Sequence, residues 1–204
     1  MQVTPLTPER LADEVVGLVA ARPGRVRLAV DGPPPTRPEA LAARVAEDLR
    51  TLGREAVVVA AADFLRPASV RLEHGREDPD ELLDGWLDAG GLRREVLDPA
   101  ASTGRVLPRL WDAAADRAFR DGYAQLPPDG VVVVAGALLL GRGLPFDLAV
   151  HLHMGAAALA RRTPDDERWT LPAHARYAAE RDPAGRADLV VLADHPDRPA
   201  VRRT

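Results

Sequence analysis

An α/β fold with a mainly parallel sheet, covered by helices on both faces, is predicted by three features of the 204-residue chain. Short valine-rich runs alternate with segments whose apolar residues recur at helical spacing, the pattern of strand–helix–strand units. One unit, Arg25 to Leu41, reads as a buried strand, a tight loop opening at Gly32 and a helix beginning near Pro38. The run Val131 to Leu140 carries no polar side chain and fits a strand buried on both faces rather than a solvated edge.

In chain order, Thr7 and Pro8 supply a cap and a first-turn proline for a helix over 8–21. Leu11, Val15, Leu18 and Val19 form its apolar stripe, and Pro23-Gly24 ends it. Val26 to Val30 is the first predicted strand. Ala40 to Leu52 is a second helix, with Leu41, Val45, Leu49 and Leu52 on one face and Gly53 as its stop. A strand follows over Ala56 to Ala61.

From Asp63 to Asp98 the composition turns polar, and helices are predicted near Pro79 to Asp88 and Leu92 to Leu97. Short extended segments are expected around Val106 and Leu110. Beyond the 131–140 run come a strand over Leu148 to Met154, helices over Ala156 to Arg162 and Pro172 to Glu180, and a last strand over Asp188 to Ala193. The tail after Asp194 is expected to fray. No repeat or long linker divides the sequence, so 1–204 is expected to be one domain with its core over about 25–195.

Composition narrows the function. Net charge is −4 with no basic block, so no nucleic-acid surface is expected. Cysteine is absent, which removes thiol nucleophiles, disulfides and Cys-ligated zinc. The apolar runs are too short to span a bilayer and the N-terminus lacks a signal-peptide pattern, so a cytoplasmic location without membrane attachment is expected. All 27 basic residues are arginines, so no lysine can serve a phosphate loop. His151 and His153 share one strand face with no third ligand apparent, and no metal site is predicted.

Strand, Gly32 loop and helix together have the layout of a phosphate-binding loop, G-x-x-x-x-G-K-[ST]. Counted from Gly32, the second glycine falls on Arg37, the lysine on Pro38 and the hydroxyl residue on Glu39. Thr36-Arg37-Pro38-Glu39 instead fits a capping box, with the Thr36 hydroxyl accepting from the Glu39 N–H and the Glu39 carboxylate reaching back to the Thr36 N–H. Such a helix start would supply its own anion where a phosphate would sit.

The order AVDGPPP, DFLRP with SVRLEHGREDP, LRREVLDP, RLWDAAADR, VVVVAGALLL, PFDLAVHLHM and RADLVVLAD resembles the uridine kinase-like branch of P-loop nucleoside kinases. That resemblance implies a five-stranded parallel sheet and transfer of a phosphoryl group from ATP, with magnesium, to a nucleoside 5′-hydroxyl. It places cofactor contacts at Asp31, Gly32, Thr36, Arg37 and Glu39, and lid arginines at Arg161, Arg162 and Arg168. It places substrate contacts at Phe64, Arg66, Arg71, Trp111, Asp112, Arg117 and Arg168. The family's catalytic aspartate falls on Ala62, one residue before Asp63, and its acidic residue after the apolar strand falls on Ala135.

Asp63 therefore reads either as a displaced general base or as a turn residue. Arg161 and Arg162 read either as phosphate contacts or as partners of Asp165, Asp166 and Glu167. The expected function is a kinase-like protein that is inactive or attenuated, with a non-catalytic nucleoside-binding or regulatory role, or a structural role in an oligomer, as the alternative. Glu39 as a magnesium ligand and Arg37 as a substitute for the lysine would together retain slow kinase activity.

Overall fold

The computed structural model describes residues 2–203. Its central sheet has seven strands: β1 (Gln2–Pro5), β2 (Val26–Asp31), β3 (Ala56–Ala60), β4 (Val131–Gly136), β5 (Leu148–His153), β6 (Leu189–Leu192) and β7 (Ala200–Arg203). They lie in the order β1-β7-β6-β5-β2-β4-β3. The strands from β3 across to β6 are mutually parallel, as the alternation of elements predicts. The tail does not fray: β7 pairs antiparallel with both β6 and β1, adding two strands that the sequence pattern did not reveal.

Period-two alternation assigns the faces. Val26, Leu28, Val30, Val131, Val133 and Ala135 pack with α1 (Pro8–Ala20) and α2 (Pro38–Thr51) in one core cluster. Val132 and Val134 point the other way, against Leu92, Val96, Leu97 and Ala100 of the helical stretch 89–101. Every residue of β4 is buried, which accounts for its unbroken apolar sequence. Thr7 caps α1 as expected, its hydroxyl accepting from the Arg10 N–H at 3.3 Å.

The expected helix over 79–88 stops at Asp84, and the one near 92–97 extends over 89–101 with a π turn at Arg93–Leu97. The expected strand over 131–140 stops at Gly136, because the chain then turns through Leu138 at φ 62°. A Cβ on Gly136 would stand 2.6 Å from the Ala61 Cβ, so the end of β4 and the 3-10 turn after β3 approach at a distance that excludes a side chain.

Candidate functional site

The carboxyl ends of the parallel strands are where ligands gather in open α/β sheets. Here that edge is built around the loop after β2. Pro34–Thr36 form one turn of 3-10 helix, and Arg37 follows in the left-handed region at φ 59°, ψ 54°. Arg37 is the N-cap of α2, Pro38 is in its first turn, and no side chain caps the helix. The capping box predicted between Thr36 and Glu39 is absent. The Thr36 hydroxyl donates instead to the Pro33 carbonyl at 2.7 Å, because the three prolines wind the chain into a tight turn before the helix begins. Glu39 is exposed.

A full count of the loop's backbone donors is possible. Residues 33, 34, 35 and 38 are prolines and have no N–H. The remaining donors are all engaged: Gly32 N–H with the Gly136 carbonyl at 3.0 Å, Thr36 N–H with Pro33 at 2.8 Å, and Arg37 N–H with Pro34 at 2.9 Å. The loop interior is filled by Thr36, 6% exposed, whose Oγ1 would lie 2.5 Å from a Cβ on Gly32. The Arg37 guanidinium turns away to Asp197 at 2.6 Å in an exposed ion pair.

Beneath this loop, Asp31 closes β2 with a fully buried carboxylate. Its Oδ1 accepts from the Leu139 N–H at 2.9 Å. Its Oδ2 accepts from the Tyr177 hydroxyl at 3.0 Å and lies 2.7 Å from His151 Nδ1. A carboxylate oxygen accepts, so His151 donates from Nδ1. The Tyr177 oxygen in turn accepts from the Leu140 N–H at 2.8 Å. Burial, and then the Asp31 charge, push the Tyr177 phenol far above its ordinary range, so it remains a hydroxyl donor.

A cavity of about 50 Å³ adjoins this network, with Pro33, His151, His153, His174 and Tyr177 among its walls. A larger one of about 180 Å³ lies beside the loop between α1 and α2, floored by Leu11, Leu41, Leu152 and Val191 and rimmed by Glu9, Arg37, Arg44 and Asp197. Among the described residues no group of three or more His, Cys, Asp or Glu is arranged to hold a metal ion.

Two histidines beside the network are held below their ordinary range, His153 by burial and then His151, and His174 by burial against the opposing pull of Asp31. The fold thus accommodates their neutral forms. Above about pH 6.5 neither folded nor unfolded chain is protonated there. As pH falls below that value the unfolded chain takes up protons that the fold resists, so their contribution to stability is lost on acidification. The urea midpoint is expected to be lower at about pH 5.5 than at about pH 7.5, with His174→Gln removing part of the drop. A midpoint drop that His174→Gln leaves intact contradicts this.

The other sequence-predicted residues lie in separate places. Asp63 ends a 3-10 turn after β3, its carbonyl accepting from the Leu110 N–H at 3.0 Å. Its half-buried carboxyl is pushed up by burial, with Arg109 opposing and Asp112 and Asp121 adding to the rise. Phe64 is fully buried in the core. Arg66 is exposed, while Arg71 is buried, with its guanidinium donating to the Arg66 and Ala113 carbonyls and lying 5.1 Å from the Trp86 ring. Trp111 donates to Asp116, and Asp112 accepts from the Ala114 and Ala115 N–H groups.

Arg117 is exposed on the hairpin opposite Asp112. Arg161 is exposed, Arg162 donates to the Asp194 carbonyl at 3.0 Å, and Arg168 pairs with Asp165 at 2.9 Å. The residues that do converge, His151 and Tyr177 on Asp31, left only one trace in the sequence: two histidines, His151 and His153, on one face of an otherwise apolar strand.

No protein-family model and no curated protein matches this sequence. Solved structures do. The chain is similar to a possible uridine kinase from Bacillus stearothermophilus, with TM-score 0.72 and 20% identity over 88% of this chain and 96% of that one. The fold is that of the P-loop kinases. It is also similar to a candidate fructose transport system kinase from Silicibacter sp. TM1040, with TM-score 0.62 and 26% identity over 88% and 91% of the two chains. The YGR205w protein matches with TM-score 0.62 and 10% identity over 98% and 99%. Within the P-loop kinase fold, the sealed turn at 32–38 occupies the position after the central strand β2.

Proposed function

We propose that this chain is a kinase-fold protein that does not hold a nucleotide's phosphates at its first loop, and that it acts as a non-catalytic binding or regulatory protein. The observation that carries this is the donor count: no N–H from residue 32 to 38 is left for a phosphate. Phosphate loops work by converging backbone N–H groups on the anion, assisted by a lysine and a magnesium-holding hydroxyl. Opening the turn would free only the Thr36 and Arg37 N–H groups. Four of the seven positions are prolines, which lack the donor covalently.

Phosphoryl transfer depends almost wholly on positioning and charge stabilisation of the transferred group. With neither the amide cradle nor a lysine, the ATP and magnesium that the family resemblance implies do not fit this loop. Arg37 as a substitute cation would have to leave Asp197, an exposed pair that contributes only about 0–1 kcal/mol, so that exchange is cheap. It would still bring one charge to a loop with no free N–H from residue 32 to 38.

The test is calorimetric titration of the full chain with ATP–Mg²⁺ and, separately, with uridine, followed by an assay for uridine phosphorylation. No heat from ATP–Mg²⁺ at millimolar concentration and no turnover are expected. Micromolar ATP binding with phosphorylated uridine overturns the proposal. Heat from uridine alone assigns the binding role to a nucleoside, and its absence favours a regulatory role through another partner.

A further inference from the structure

The stretch after Pro164 is continuously helical but irregular: 3-10 over Asp165–Thr170, α over Leu171–Arg176 and π over Tyr177–Arg181. Asp182, left-handed at φ 44°, ends it. This strap packs on the body of the protein through Ala173 and the Tyr177 ring, buried beside Leu83, Leu138 and Leu140, and through Leu171 beside Met154 and Leu159. It also makes polar and aromatic contacts of three kinds. Trp169 lies against Trp86, ring centroids 5.5 Å apart and tilted by 51°. Arg176 pairs with Asp80, and Arg181 with Asp84 at 2.8 Å, both at exposed positions. Tyr177, 5% exposed, reaches the buried Asp31 carboxylate and the Leu140 N–H.

These contacts are not equal. Exposed ion pairs are screened by solvent and hold little. The Trp86–Trp169 contact joins two half-buried rings. The Tyr177–Asp31 bond is charge-assisted and shielded from water, the strongest class of the three. Tyr177 also stands where the helix widens into its π turn, a distortion that collects at functional positions. We propose that the 165–181 strap is a cover latched over the carboxyl end of β2 by the Tyr177–Asp31 bond, which adds to its apolar packing, and that breaking this one bond raises the population of the opened strap while the sheet stays folded.

The latch is independent of the phosphate-loop proposal. It is read by hydrogen exchange without nucleotide, so either can fail while the other stands. Tyr177→Phe keeps the ring and removes the hydroxyl. Exchange of the 165–181 amides and of the Leu140 amide is expected to rise about tenfold or more. The Leu139 amide, held by Asp31 rather than by the strap, and the β4 amides are expected to keep their wild-type rates. Strap exchange within about twofold of wild type, or a uniform acceleration through β2 and β4, overturns the latch.

Arg176→Ala removes only exposed pairs and is expected to change strap exchange by less than about threefold. A larger effect than that of Tyr177→Phe reassigns the hold to the surface and overturns the proposal. In the unaltered protein at low denaturant, the Leu140 amide is expected to exchange in the same opening event as the strap. If it exchanges only with global unfolding while the strap opens alone, the bond does not gate the strap.

Discussion

Replacing Asp31 by alanine is expected to destabilise the fold by about 3–5 kcal/mol, the range for removing one member of a buried, hydrogen-bonded charged group. The carboxylate is fully buried and serves three donors: Leu139 N–H, Tyr177 O–H and His151 Nδ1–H. Without it each donor is left in a dry site, and each unsatisfied buried group costs about 1–3 kcal/mol before relaxation. Asp31→Asn keeps an acceptor for Leu139 but turns an NH₂ toward the other donors, so an intermediate loss is expected. Urea denaturation followed by circular dichroism measures both. A loss below about 1 kcal/mol for the alanine variant would mean that water enters and satisfies the donors, and that Asp31 does not organise this edge.

Phe64→Ala is expected to cost about 3–5 kcal/mol as a large-to-small change in a packed core. The ring is fully buried in the cluster with Val59, Leu92, Val96 and Val134. Family resemblance marks this residue as a substrate contact, and the two roles predict different outcomes. A packing role lowers the denaturation midpoint, whereas a contact role would spare stability and weaken nucleoside binding. Arg66→Ala, at an exposed neighbouring position, is the control and is expected to stay within about 0.5 kcal/mol of wild type. If Phe64→Ala does the same, the ring is not part of the core.

The parallel sheet was legible because its signals are local. Runs such as Val131 to Val134 and the helical stripe Leu41, Val45 and Leu49 declare their period within a few residues. β1 and β7 were not legible, since each is a four-residue segment whose strand character comes from a partner at the far end of the chain. The loop was legible in what it lacks, a lysine and a hydroxyl at the expected places, but not in its shape. The capping-box pattern of Thr36 and Glu39 lost to the geometry of Pro33-Pro34-Pro35, which turns the chain early and leaves Arg37 to begin the helix. The Asp31 network was least visible. His151 and Tyr177 lie 120 and 146 residues away along the chain, and only the tertiary fold brings them together.

The pairing of β1 with β7 bears on how the protein is made. During synthesis β1 has no partner until β7 has been made, because among the described strands β1 pairs only with β7. Until then the outer rim of β6 presents bare peptide groups, the kind of edge that recruits stray strands from other nascent chains. β7 therefore acts as a seal added after the parallel strands, covering the open side of β6 and holding β1 beside it.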